Sequence, residues 1–171
     1  MIQFGYQPAY DPYHSTFRLV RLLSMFGVNA ISFHTIRIAD FYLCFPHLLE
    51  DVRLPNNFRA FKKIIQEIGS DVPYGAMPEK SVVFGRMRPF QEAAAQTLAY
   101  NGFLDGELLK INTVQRTEEN LPKKIQEAAE IRNQEDREIV SIISKFSTIT
   151  LEGKNGLKDR TGLMEYRYDA A

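Results

Sequence analysis

The stretch Asn29–Glu50, NAISFHTIRIADFYLCFPHLLE, decides how the rest of the chain is read. It opens on a short β-prone run, Ala30-Ile31-Ser32-Phe33. It continues into a segment of helix length carrying Ile36, Ile38, Ala39, Phe41, Tyr42, Leu43, Cys44 and Phe45. From Ile38 to Phe45 the only charged residue is Asp40, and a helix that is apolar around its whole circumference belongs inside a fold. Pro46 ends or bends it near Phe45. A carboxylate in such surroundings needs an ion pair or hydrogen bonds. Arg37, three residues earlier on the same face, is the expected partner of Asp40.

On the N-terminal side, residues 1–13 read as an arm rich in aromatics and proline, with Phe4, Tyr6, Tyr10 and Tyr13 beside Pro8 and Pro12. Two prolines forbid a regular helix there, so the rings must pack either on their own domain or on a neighbouring subunit. A helix is expected over Tyr13–Phe26, with Ser15 or Thr16 near its N-cap and Gly27 as its stop. Phe17, Val20, Leu22 or Leu23, and Phe26 form its apolar stripe. Arg18 and Arg21 lie off that stripe, where they would be solvated or would meet a partner.

On the C-terminal side, Pro55-Asn56-Asn57 predicts a third helix over Asn57–Ile68, closed by Gly69. Ser70–Lys80, with Pro73, Gly75 and Pro78, reads as a contact loop. Arg88 or Pro89 starts a helix that runs through QEAAAQTLAYNG to Gly102. The break Asp105-Gly106 and a β-prone run over Glu107–Val114 follow. Helix, turn and strand in that order look like the last helix and wing of a winged-helix domain. Leu121–Asn133 and Gln134–Phe146 read as one long helix or two, with Ile125, Ala128 and Ile131 on one stripe and Ile139, Ile142, Ile143 and Phe146 on the other. STITLE (Ser147–Glu152) and GLMEYRY (Gly162–Tyr168) alternate around a Gly-Lys-Asn-Gly turn, which predicts a C-terminal β-hairpin. The expected architecture is α+β, mainly α. An N-terminal arm (1–13) precedes a winged-helix-like domain (14–117), and a helical extension with a hairpin (118–171) packs as part of one compact unit.

Composition narrows the function. Lys+Arg and Asp+Glu both number 21 in 171 residues, so the formal charge is zero. Phosphate neutralisation dominates nucleic-acid affinity, and a chain without basic excess favours protein partners. A single cysteine rules out a disulfide framework and suits a reducing compartment. No signal peptide opens the sequence, and no apolar run reaches about 18 residues, so a cytoplasmic location is expected. His14, His34 and His47 show no HxxxH or HxH pairing, which argues against a metal site. Cys44 sits among Leu43, Phe41 and Phe45, the setting of a structural thiol. The run Gly153–Lys158 lacks the GxxxxGK[ST] spacing of a phosphate loop. Neither a catalytic group nor a cofactor-binding residue emerges, and the chain is expected not to be an enzyme.

Surfaces remain. In the tail, Lys158, Arg160 and Arg167 alternate with Asp159, Glu165 and Asp169, interleaved with Leu163, Met164, Tyr166 and Tyr168. Arg, Tyr and Met are types enriched in interface cores. The candidate protein-interface residues are therefore Tyr6, Tyr10, Tyr13, Arg160, Met164, Tyr166, Arg167 and Tyr168. Arg86 and Arg88 are the candidate DNA contacts, next to a helix in which only Gln91, Gln96 and Asn101 offer base-reading side chains.

Three segments together, YDPYHSTFRLVRLL (Tyr10–Leu23), FHTIRIADFYLCFPHLL (Phe33–Leu49) and GLKDRTGLMEYRYD (Gly156–Asp169), resemble the small middle components of bacterial ABC-three-component conflict systems, which include the Lamassu-type anti-phage systems. The resemblance implies a non-enzymatic adaptor with a winged-helix-like core. Its partners would be an SMC/Rad50-like ABC ATPase and an effector subunit, often a nuclease, with DNA met mainly through the complex and no membrane. The competing reading is a winged-helix DNA-binding transcriptional regulator.

Overall fold

A computed structural model of the chain describes residues 7–72, 75 and 77–165. Helices dominate: α1 (Pro12–Phe26), α2 (Phe33–Cys44), α3 (Lys62–Gly69), α4 (Lys80–Tyr100), α5 (Gly106–Lys110), α6 (Lys123–Glu135), α7 (Arg137–Ile143) and α8 (Leu157–Thr161). Two short strands, β1 (Ile31–Ser32) and β2 (Thr113–Val114), pair antiparallel with Ile31 opposite Val114 and Ser32 opposite Thr113.

The apolar run forms the central helix. Ser32 caps α2 by accepting from the His34 N–H at 3.2 Å. Ile38, Ala39, Phe41 and Tyr42 are inaccessible to solvent, so this helix is covered on every side. Phe41 meets Phe84 of α4 edge-on at 6.0 Å between ring centres, and Tyr42 meets Phe146 at 5.8 Å. Burying each such side chain contributes roughly 1.5–3 kcal/mol. Buried apolar residues continuous with it run from Ala9 to Leu163. The arm's described end takes part: Ala9 is buried and Tyr10 stacks at 6.1 Å on Phe90.

Helix α1 starts and stops close to its expected bounds, but its cap is Asp11, which accepts from the His14 N–H at 2.8 Å. Ser15 and Thr16 are already helical; Thr16 Oγ1 donates back to the Pro12 carbonyl. The third helix is split into a 3₁₀ turn over Asn56–Phe61 and α3. Helix α4 begins eight residues before Arg88 and carries Pro89 inside it. That proline removes the bond to the Gly85 carbonyl, yet both residues face solvent, where water can satisfy the freed group.

Two strand expectations and one helix stripe need correction. Glu107–Lys110 is helical: Asp105 caps α5 by accepting from the N–H groups of Glu107 and Leu108, and only Thr113–Val114 is extended. The C-terminal hairpin does not form over its first half. Ser144–Thr148 is a 3₁₀ turn, and the described part of Gly162–Tyr168 is not a strand. STITLE alternates because Ile149 and Leu151 turn inward between exposed neighbours. Their backbones support α8 instead: the Thr150 and Leu151 carbonyls accept from Leu157 and Lys158. Lastly, Ile125, Ala128 and Ile131 are exposed on α6, and Ala129 is the residue that enters the core.

Candidate functional site

Three buried arginines, Arg18, Arg21 and Arg37, organise the polar interior. Arg18, expected to be solvated or partner-facing, is buried and ion-paired to Asp40, with Nε 2.6 Å from Oδ1 and Nη2 3.3 Å from Oδ2. Its Nη1 donates to the Pro8 carbonyl at 2.8 Å, and its Nη2 also donates to Ser15 Oγ at 3.1 Å. Burial alone lowers the Arg18 pKa, but the charge and hydrogen bond of Asp40 more than offset it, so the net shift is upward. Asp40 is also held by Gln91 Nε2 at 2.8 Å.

Arg37 is therefore not the ion-pair partner of Asp40. Its Nε donates to Gln91 Oε1 at 2.9 Å and its guanidinium lies 4.5 Å from the centre of the Phe84 ring. Burial lowers its pKa to about 10, which leaves it charged at neutral pH. A residue 22 positions away displaced the helical neighbour because Arg18 on α1 faces α2 directly, whereas Arg37 turns toward α4. Gln91 closes the network by also donating to the Arg37 carbonyl at 3.2 Å. It is thus buried in the core and unavailable as a base-reading side chain.

Arg21 is likewise buried, not solvated. It joins α1 to the end of α6 through Asn133 Oδ1 at 2.8 Å and Asp136 Oδ2 at 2.7 Å. Burial lowers its pKa. On its far side, Asp136 also accepts from Arg132 Nε at 3.0 Å.

Against these a cavity of about 760 Å³ opens. Phe17, Leu43, Phe45, Val72, Met77 and Val83 supply its apolar lining, and Arg18, Arg21, Arg86 and Arg132 its cations. Cys44 also borders it. Burial pushes the Cys44 thiol pKa well above its ordinary value, so this group stays a neutral thiol. His47, another lining residue, has its pKa lowered by burial.

The predicted interface residues fall on different parts of the molecule. Tyr10 lines the cavity. Tyr13 is 85% exposed at the start of α1. Arg160 is engaged within the chain: its Nε donates to the Asn155 carbonyl and its Nη1 to the Arg53 carbonyl. Arg53 in turn bonds Asp159 at 2.6 Å, so α8 is stapled to the segment after Asp51. Met164 packs partly buried against the core. Tyr6, Tyr166, Arg167 and Tyr168 lie outside the described residues.

Of the candidate DNA contacts, Arg88 is ion-paired on its own helix to Glu92 at 2.6 Å. Arg86 is exposed and borders the cavity. The turn at Gly153–Gly156 is not an open anion site, because the Asn155 N–H donates to Asp159 Oδ2 at 2.8 Å. Among the described residues, no group of three or more His, Cys, Asp or Glu is placed to hold a metal ion, and no helix is long and apolar enough to cross a membrane.

The family model for the ABC-three component (ABC-3C) system Middle Component 5 matches residues 4–169. No curated protein and no solved structure matches the chain.

Proposed function

Because the chain belongs to the middle components of ABC-three-component systems, with partners in a multi-subunit system, we propose that it is a non-enzymatic adaptor joining an SMC/Rad50-like ABC ATPase to an effector subunit. The system is read as a cytoplasmic anti-phage or anti-plasmid module of the Lamassu type, with the effector often a nuclease. Family membership over nearly the whole length is the observation that carries the reading. The residues support it. The buried arginines are taken up by Asp40, Gln91, Asn133 and Asp136 in structural bonds, and Cys44 is held as a neutral thiol. What the fold leaves at its surface is suited to contact, not to turnover.

A winged-helix-like core put to protein contact fits the same observations. Helix α4, a turn and β2 follow one another, and β2 pairs with β1 ahead of the central helix. A regulator would need α4 to read bases, but Gln91 is buried, Arg88 pairs with Glu92, and Asn101 Nδ2 donates to the Thr97 carbonyl.

The test is co-purification. A tagged chain expressed with the ATPase encoded beside it should retain that ATPase through washes in moderate salt. Recovery of the tagged chain alone, with the ATPase soluble in the flow-through, would contradict the proposal. Duplex binding by the isolated chain that weakens with salt and with Arg86→Ala/Arg88→Ala would favour the regulator instead.

A further inference from the structure

The 760 Å³ cavity has a one-sided lining, and one of its cations is left over by the fold. The chain as a whole is neutral, with 21 acidic and 21 basic residues, yet the described lining contains four arginines and two histidines and no Asp or Glu. The carboxylates that bond three of these arginines, Asp40 for Arg18, Asp136 for Arg21, and both Glu135 and Asp136 for Arg132, are not part of the wall. Arg86 has no carboxylate within 4 Å among the described residues and is exposed. Beside these cations stand Phe17, Phe45, Met77 and Val83, and Val72 borders the cavity while 67% exposed. Tyr13, Val82 and Ile131, all exposed, adjoin the lining residues His14, Val83 and Arg132 in the chain. The smaller cleft of about 270 Å³ near α3 lacks this asymmetry, since Glu50 stands there beside Arg59 and Lys62.

We propose that this cavity is a docking site for a short acidic peptide segment of a partner subunit, one that inserts an aromatic or aliphatic side chain and sets a carboxylate against Arg86. The volume lies in the range of small-ligand sites and takes a few side chains, not a folded domain. Charge supplies the choice of occupant. An apolar peptide would leave Arg86 desolvated without a partner, and a basic one would meet only like charge. A carboxylate gains bidentate, charge-assisted hydrogen bonds from an arginine. Arg86 thus serves recognition, while Arg18 and Arg21 hold the floor. This rests on the adaptor reading for its kind of partner, but not for its chemistry.

The probe is a fluorescein-labelled, N-acetylated hexapeptide, Glu-Phe-Glu-Leu-Asp-Glu, titrated into the full-length purified chain by fluorescence anisotropy. Saturable binding is expected. It should weaken about tenfold or more for Arg86→Glu, in keeping with reversal of a contacting charge. Arg86→Lys should recover most of the loss, and Lys124→Glu, an exposed reversal on α6 outside the cavity, should change nothing. Replacing the peptide's Phe and Leu by Ser should abolish binding. Circular-dichroism melts of the three variants should overlay that of the parent. No saturable binding, or binding indifferent to Arg86→Glu, would overturn the proposal. So would saturable uptake of benzoate or AMP at an Arg86-dependent site in the absence of peptide binding, which would mark a small-anion site. The two readings fail separately: an ATPase retained without peptide binding removes this site alone, and peptide binding without a retained ATPase removes the adaptor alone.

Discussion

Arg18 and Arg86 border the same cavity under opposite circumstances. Arg18 lies below a tenth exposed and has four hydrogen-bond acceptors from its own chain: both Asp40 oxygens, the Pro8 carbonyl and Ser15 Oγ. Arg86 stands in solvent with no carboxylate near it among the described residues. The first is an arginine whose counter-charge folds with it. The second is an arginine whose counter-charge must come from water or from another molecule. In a chain of zero formal charge, this difference separates what builds the subunit from what it can present.

Removing Asp40 attacks the folded side of the comparison hardest. Asp40→Ala leaves Arg18 buried without its ion pair and takes from Gln91 one of its two acceptors, the Arg37 carbonyl being the other, and should cost about 3–5 kcal/mol. The loss is read from urea unfolding followed by circular dichroism. A loss below about 1 kcal/mol would mean that the network is hydrated and that the contrast with Arg86 is false.

Arg21 is the intermediate case, since it bonds Asn133 and Asp136 across the join of α1 to α6 and α7. Arg21→Ala should destabilise by about 1.5–3 kcal/mol and should raise hydrogen exchange in α6 before α4.

Arg86→Glu belongs to the other side. As an exposed change it should alter unfolding free energy by no more than about 0.5 kcal/mol, while weakening acidic-peptide binding about tenfold or more. Equal damage to folding and binding would collapse the distinction. Arg88→Ala should likewise cost about 1 kcal/mol or less, because its bond to Glu92 is a surface pair on one helix, and it should leave peptide binding intact.

The smallest effect is pH-dependent. His34 has a lowered pKa, first through burial and then through the positive charges of Arg37, Lys158 and Arg88. Its buried Nδ1 also lacks a hydrogen-bond partner among the described residues. The folded state therefore binds a proton less readily than the unfolded chain. Stability from this group is fully present above the unfolded pKa of about 6.5 and is lost as pH falls from there toward the lower folded value. His34→Gln should flatten the acid side of the stability profile without moving its neutral plateau. An unchanged acid slope would show that other groups govern it.

How legible each part was follows from where its determinant sits. Helix α2 was readable because a continuous apolar run implies burial by itself, whatever surrounds it. The bounds of α1 were readable because Gly27, at φ 74°, can end a helix where most residues would be strained. The Arg18–Asp40–Gln91 network was not readable. Arg37 satisfied the local spacing rule, and only the packing of α1 and α4 on α2 shows that residues 22 and 51 positions from Asp40 reach it first. The hairpin failed for a related reason. Alternation reports which side chains are buried, and at Ile149 and Leu151 that burial serves α8, not a strand partner. The cavity had no linear signature, since its walls come from separate stretches of chain; a lone arginine such as Arg86 acquires meaning only beside them.

The most direct test of the account is the mass of the assembled species. The chain co-expressed with its system's ATPase should elute in size-exclusion chromatography with multi-angle light scattering as a single hetero-oligomer containing both. Elution of the chain by itself at the mass of one 19.7 kDa copy, with the ATPase in a separate peak at micromolar concentration, would contradict the claim that it is a subunit built for assembly.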